Sequence, residues 1–283
     1  MAFGRITRGE QRFFLNETEV NGVQNAQIQY QLGGAPTIFL GGIAGADSHP
    51  VGGVSASANV DMLMMNAGDD PFYAFTGHQG FNGYILRGKN SDKPYDNFSF
   101  QSGYLSSYST SWGLGQLPSI SAGIEIFNEA GRLHLDDIPS SLAYSVPTSM
   151  KSIPDPGAVD ITLQDDLQSN RLMSYSISVN CTRNPLFYLG SRYASFVDLV
   201  SPVVVACDFQ IEVEDYVAGR VSSYPCETTK RDLIVNIKEK GTDSVLRTYS
   251  FADLQLASES YQVGVQGNAI VNASYVGYIP VRS

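Results

Sequence analysis

Apolar and polar residues alternate with a period of two through much of this chain. Ala26, Ile28, Tyr30 and Leu32 fall on one side of the run 25–32, with polar neighbours between them. Val54, Ala56, Ala58, Val60, Met62 and Met64 share a side over 54–65, as do Val203, Val205, Cys207, Phe209, Ile211 and Val213 over 203–213. Successive side chains of a strand point to opposite faces, so the pattern predicts half-buried strands. Shorter runs at 12–15, 37–40, 84–87, 120–127, 173–180, 186–189, 233–238 and 270–279 predict more. Gly33-Gly34 and the glycine-rich stretch 41–53, with its Pro50, read as breaks and loop. Residues 102–111 and 253–261 read as one short helix each, with Asp253 as an N-cap.

The pattern occurs twice. Pro36-Thr-Ile-Phe-Leu-Gly41 returns 149 residues later as Pro185-Leu-Phe-Tyr-Leu-Gly190. At the same offset of 149, Val23, Ile28 and Tyr30 fall on Leu172, Ile177 and Val179, Tyr84-Ile-Leu86 on Leu233-Ile-Val235, and Arg12-Phe-Phe14 on Ile161-Thr-Leu163. The offset then becomes 151: Phe98-Ser-Phe100 falls on Tyr249-Ser-Phe251, Trp112-Gly-Leu114 on Val263-Gly-Val265, and Ile120-Ser-Ala122 on Val271-Asn-Ala273. Ordered matches with one small shift read as an internal duplication. The fold expected is mainly β: two tandem similar β-sandwich or barrel domains, at residues 1–130 and 155–283, each with about one short helix. Residues 131–154, with Pro139, Pro147 and Pro154, form a linker or excursion between them. A chain of 283 residues is long enough for two cores of that size.

Composition narrows the functional classes. Charged residues are 16% of the chain, well under the usual quarter, and 28 acids against 18 bases leave a net charge of −10. Such a chain does not grip nucleic acid by neutralising phosphates, but it can surround DNA without holding it. Cys181, Cys207 and Cys226 stand at spacings that match no metal knuckle or redox pair, and read as small buried apolar residues. No apolar run is long enough to span a membrane as a helix, and no secretion signal is read at Met1–Arg5.

The search for chemistry yields little. His49, His78 and His134 sit in loop-like sequence without metal-ligand spacing. Nucleophile elbows, phosphate-binding loops and calcium loops are absent, so no catalytic residue, cofactor or metal is expected. The pairs Asp69-Asp70, Asp136-Asp137 and Asp165-Asp166 read as turn residues and solvated acids. Glu212, Glu214 and Asp215 extend the strand 203–213 and are candidate acids for a lumen or rim.

The run Phe14-Leu-Asn-Glu-Thr-Glu-Val-Asn-Gly-Val-Gln24 resembles the opening of bacteriophage tail-tube proteins, in which a strand, a short turn and a second strand carry Val-x-Gly-Val. The resemblance covers about thirty residues of each half. It implies a structural virion protein, not an enzyme, made in the host bacterial cytoplasm and residing in the tail. Its copies would form stacked rings that conduct DNA. A duplicated chain implies a homotrimer with pseudo-sixfold symmetry, a hexamer being the alternative, in contact with stacked copies of itself and other tail proteins and with no membrane. Loops that would reach the next ring are those with Gly41, Gly45, Asp47, Pro50 and Gly53 and with Ser191, Tyr193 and Pro202. The alternatives are another virion part (tail terminator, connector or capsid decoration) and a carbohydrate-binding β-sandwich module using exposed tyrosines and Trp112.

Overall fold

The computed structural model describes residues 11–31, 34–37, 47–50, 53, 55–64, 70–73, 76–77, 79–87, 97–142, 159–163, 168–169, 172–213, 230–238, 245–263 and 269–279. Strands dominate them: β1 (Arg12–Leu15), β2 (Thr18–Glu19), β3 (Val23–Gln31), β4 (Gly34–Thr37), β5 (Asp47–Pro50), β6 (Ser55–Leu63), β7 (Phe81–Leu86), β8 (Asn97–Gly113), β9 (Ser119–Ile126) and β10 (Ala130–Leu133). After a 3-10 turn at Leu135–Asp137 come β11 (Val159–Leu163), β12 (Gln168–Ser169), β13 (Leu172–Asn180), β14 (Arg183–Leu186), β15 (Phe196–Leu199), β16 (Val203–Val213), β17 (Arg231–Lys238), β18 (Val245–Gln262) and β19 (Ala269–Ile279). The protein is mainly β and sandwich-like.

The alternation seen in the sequence is the one the core uses. Ala56, Ala58, Val60 and Met62 of β6, and Val203, Val205, Cys207, Phe209 and Ile211 of β16, are all buried in one continuous core. Cys181 and Cys207 lie buried as free thiols, as their apolar reading requires.

The same strand pairings occur in both halves. In the first, β1 pairs with β2 and β7, β7 with β8, β8 with β9, β9 with β6, β6 with β3, and β4 with β5. In the second, β11 pairs with β12 and β17, β17 with β18, β18 with β19, β19 with β16, β16 with β13, and β14 with β15. Irregularities recur too. The β3–β6 ladder slips between Val23 and Asn25, and β13–β16 slips 149 residues on, between Leu172 and Ser174. The β8–β9 ladder slips between Leu105 and Ser107, and β18–β19 slips 151 residues on, between Leu256 and Ser258. Ser102 and Asp253, also 151 apart, hold the left-handed conformation with φ of 50° and 59°.

Three local expectations are corrected. Residues 102–111 and 253–261 are not helices: they lie inside the long strands β8 and β18. A left-handed Asp253 cannot act as an N-cap, which takes extended backbone. In β8 the slip near Ser106 puts Leu105, Tyr108, Thr110 and Trp112 all on the buried side and hides the period of two. The residue of the first half that corresponds to Leu233 is Gly83, not Tyr84: Gly83 faces Phe100 as Leu233 faces Phe251. Likewise Leu15, not Phe14, corresponds to Leu163. Gly83 is a core position without a side chain, because the Phe100 ring would stand 2.2 Å from a Cβ there. An apolar pattern cannot register it.

Asp70 is not a solvated turn residue. It is 4% exposed, and its carboxylate accepts hydrogen bonds from Tyr108 of the first half and Tyr249 of the second. The halves also join through a ladder. Strand β13 pairs with residues 107–113 of β8, on the side of β8 that β7 uses further up the strand.

Candidate functional site

Because β13 pairs with β8, one antiparallel sheet runs through both halves in the order β3-β6-β9-β8-β13-β16-β19-β18. One face of this eight-stranded sheet covers the core. The other carries the residues between the buried positions.

That second face is built from serine, asparagine and glutamine in rows across the strands. One row runs Leu63, Ser119, Ser111, Ser176, Asp208, Ser274, Ser258. A neighbouring row begins Asn25, Asp61, Ser121, Ser109, Ser178. Short hydroxyl side chains suit the pleated surface and bond along it. Ser121 Oγ donates to Asp61 Oδ1 at 2.7 Å, and Ser111 and Ser119 share a hydrogen bond at 3.1 Å. Asn272 Nδ2 donates to Ser260 Oγ at 3.3 Å. Val204, Val276 and Tyr278 are apolar exceptions where β16 and β19 run together.

The charge carried by the strands on this face is acidic. Residues 255–262 of β18 and the other seven strands contain neither Lys nor Arg, while Asp61, Glu125, Asp208 and Glu212 stand on the face; the cations beside it come from other elements, Arg183 over Tyr104 and Lys230 next to Val276 and Tyr278. Burial pushes the Glu125 carboxyl above its usual range, and the Arg183 guanidinium opposes that shift. A surface of hydroxyls, amides and a few carboxylates is well hydrated. Its strands offer phosphate no cation to pair with, and their carboxylates repel a polyanion weakly.

Of the acids expected at a lumen or rim, Glu212 lies on this face, half-buried in β16, and Glu214 and Asp215 lie outside the described residues. Asp61, Asp208 and Glu125 were missed. Their signal was present as the polar half of each alternating run, notably the serines at 107, 109, 111 and at 174, 176, 178.

Gly41 and Gly45 lie outside the described residues, while Asp47 and Pro50 belong to the β4–β5 hairpin, opposite Thr37 and Gly34. Gly53 lies under the Phe187 ring, which would stand 2.2 Å from a Cβ there. Ser191 and Tyr193 sit at the tip of the β14–β15 hairpin, where Ser191 Oγ donates to the Tyr193 carbonyl at 2.8 Å. Pro202 follows that hairpin behind a cis peptide bond. Leu186, Tyr188, Leu189 and Phe196 of the same hairpin are all exposed, an apolar tip projecting from the body. Trp112 is not an exposed sugar platform: it is 4% exposed and stacked on Tyr175.

Fold and face together define a mainly β, sandwich-like protein presenting a wide, hydroxyl-rich sheet surface whose own strands contribute carboxylates and no cation. The chain matches no protein-family model and no curated protein.

Proposed function

We propose that the chain is a structural virion protein of the tail-tube kind, whose copies form stacked rings with the eight-stranded sheet lining a channel that DNA traverses. The observation that carries this reading is the hydroxyl-rich face, to which the strands contribute carboxylates but no Lys or Arg, on a sheet that continues through both halves. A channel for DNA needs a hydrated wall that does not bind phosphate, and this face has that chemistry. The recurrence of the strand pairings supports two tandem like domains, hence a homotrimer with pseudo-sixfold symmetry. The apolar tip of the β14–β15 hairpin would contact the next ring. The role is structural rather than catalytic, and the place of action is the phage tail.

Negative-stain electron microscopy of the purified protein, with light scattering for mass, tests it. The expected result is open-centred rings of three chains with a sixfold outline, or hollow tubes. A monomer at every concentration would overturn the reading.

A further inference from the structure

We infer that neighbouring copies join by repeating, between chains, the junction that already joins the two halves within one: β3 of one chain pairs antiparallel with β18 of the next. The inference deepens the ring reading and rests on it for a second copy being present. The residues themselves say which edges meet.

Within the chain, residues 174–180 of β13 lie along 107–113 of β8. The counterpart of β13 is β3, at offset 149, and the counterpart of that part of β8 is the end of β18, at offset 151. Among the described residues β3 pairs only with β6, and residues 255–262 of β18 pair only with β19. Among the described residues the sheet therefore ends in these two edges, the two members of a junction whose other version is filled. Open edges with unpaired backbone groups seek a strand.

Side chains along the two edges agree. Val179, Thr110 and Trp112, which meet at the filled junction, are 1%, 1% and 4% exposed. Their counterparts Tyr30, Tyr261 and Val263 are 48%, 52% and 76% exposed. Moving the intra-chain register by the two offsets puts Tyr30 opposite Glu259, Gln29 opposite Ser260, Ile28 opposite Tyr261 and Gln27 opposite Gln262. Glu259 Oε1 is shut off from solvent with no hydrogen-bond partner in the single chain, and Tyr30 would bring a hydroxyl donor to it.

A second contact follows the same rule. The β14–β15 hairpin leans on the first half, with Ala194 N–H donating to the Phe127 carbonyl and Phe187 lying on Gly53. The counterparts of Phe127 and Gly53 are Tyr278 and Pro202, at the same two offsets. Both line an open cleft with Val276 and Ile279, and Tyr278 is 61% exposed where Phe127 is 7%. A neighbouring chain would cover that cleft as the β14–β15 hairpin covers Phe127 and Gly53.

The pairing is heterologous, so each chain offers one edge of each kind and a ring can close. Cysteine cross-linking of the full-length protein tests it, with Cys226 replaced by Ser. Gln29→Cys with Ser260→Cys, and separately Gln27→Cys with Gln262→Cys, should give a ladder of chain multiples under a short thiol-reactive cross-linker. Either substitution alone should give none. Ser109→Cys with Ser178→Cys is the intra-chain control and should cross-link without a ladder. Rings with no ladder from either pair would overturn the β3–β18 pairing and leave the ring reading standing. A ladder only from the mismatched pair Gln27→Cys with Ser260→Cys would overturn the register. A monomer at every concentration would sink both.

Discussion

The Tyr108 and Tyr249 hydroxyls meet on a single carboxylate oxygen of Asp70, at 2.6 and 2.8 Å, and stand 2.9 Å from each other. Tyr108 belongs to β8 and Tyr249 to β18, so this buried knot ties the two halves together. Arg247 closes it, its guanidinium 5.4 and 5.6 Å from the ring centres of Tyr73 and Tyr249. Cutting the acceptor leaves two buried hydroxyls without it. Asp70→Ala should therefore destabilise the fold by roughly 1–3 kcal/mol, read as a lower urea midpoint at neutral pH. An unchanged midpoint would mean the knot contributes nothing.

Alkali should unfold the protein earlier than its charge alone would suggest. Burial pushes the Tyr108 and Tyr249 hydroxyls well above the ordinary tyrosine value, and the Tyr175 hydroxyl and the Cys207 thiol each up to about 12. A folded-state pKa above the unfolded one means that the unfolded chain loses its proton first. The stabilisation is complete below the unfolded values, about 9 for cysteine and 10 for tyrosine, and is lost as pH rises toward 12. Tyr175 alone accounts for roughly 2–3 kcal/mol across that window. Melting temperatures measured from pH 8 to 12 should fall steeply above pH 9–10, and Tyr175→Phe should flatten the fall.

Cations placed on the serine face should change what the assembly does to DNA without changing the fold. Ser109→Arg with Ser176→Arg puts two guanidiniums on neighbouring rows at positions not buried in the single chain. Stability should move by about 0.5 kcal/mol or less per site. Assemblies of the variant should retain DNA at low salt and release it as salt rises, while the parent protein retains none at either. Equal retention by both in a gel-shift titration would remove the channel-wall reading of this face.

The β14–β15 tip should matter for stacking alone. Leu189 is fully exposed and Tyr188 is 62% exposed, so Tyr188→Ser with Leu189→Ser removes no core contact. Melting should be unaffected, and tubes seen by microscopy should be shorter or reduced to single rings. Tubes of parental length would place the contact between rings elsewhere.

A strand declares itself locally, because the period of two is a property of neighbouring residues. That is why β6, β13 and β16 were legible from their apolar positions, and why strand pairings that recur in both halves left matching patterns at two offsets along the chain. The serines of the polar face were equally visible, as the other half of the same alternation. The strands of residues 102–111 and 253–261 were not legible, because a slip and a left-handed residue break the period that marks them.

Asp70, Gly83 and Trp112 have roles no local pattern carries. Two tyrosines from different halves converge on the first, a phenylalanine ring fills the space of the second, and a stacked tyrosine covers the third. The sequence by itself determined most of the strands and the acidic, cation-poor balance, since each depends only on residue order and composition. Only the tertiary structure decided that β8 takes β13 as its neighbour while, among the described residues, the corresponding edges of β18 and β3 take none. Backbone groups of like strands are chemically the same, so the choice of partner rests on which edges the folded chain can bring together.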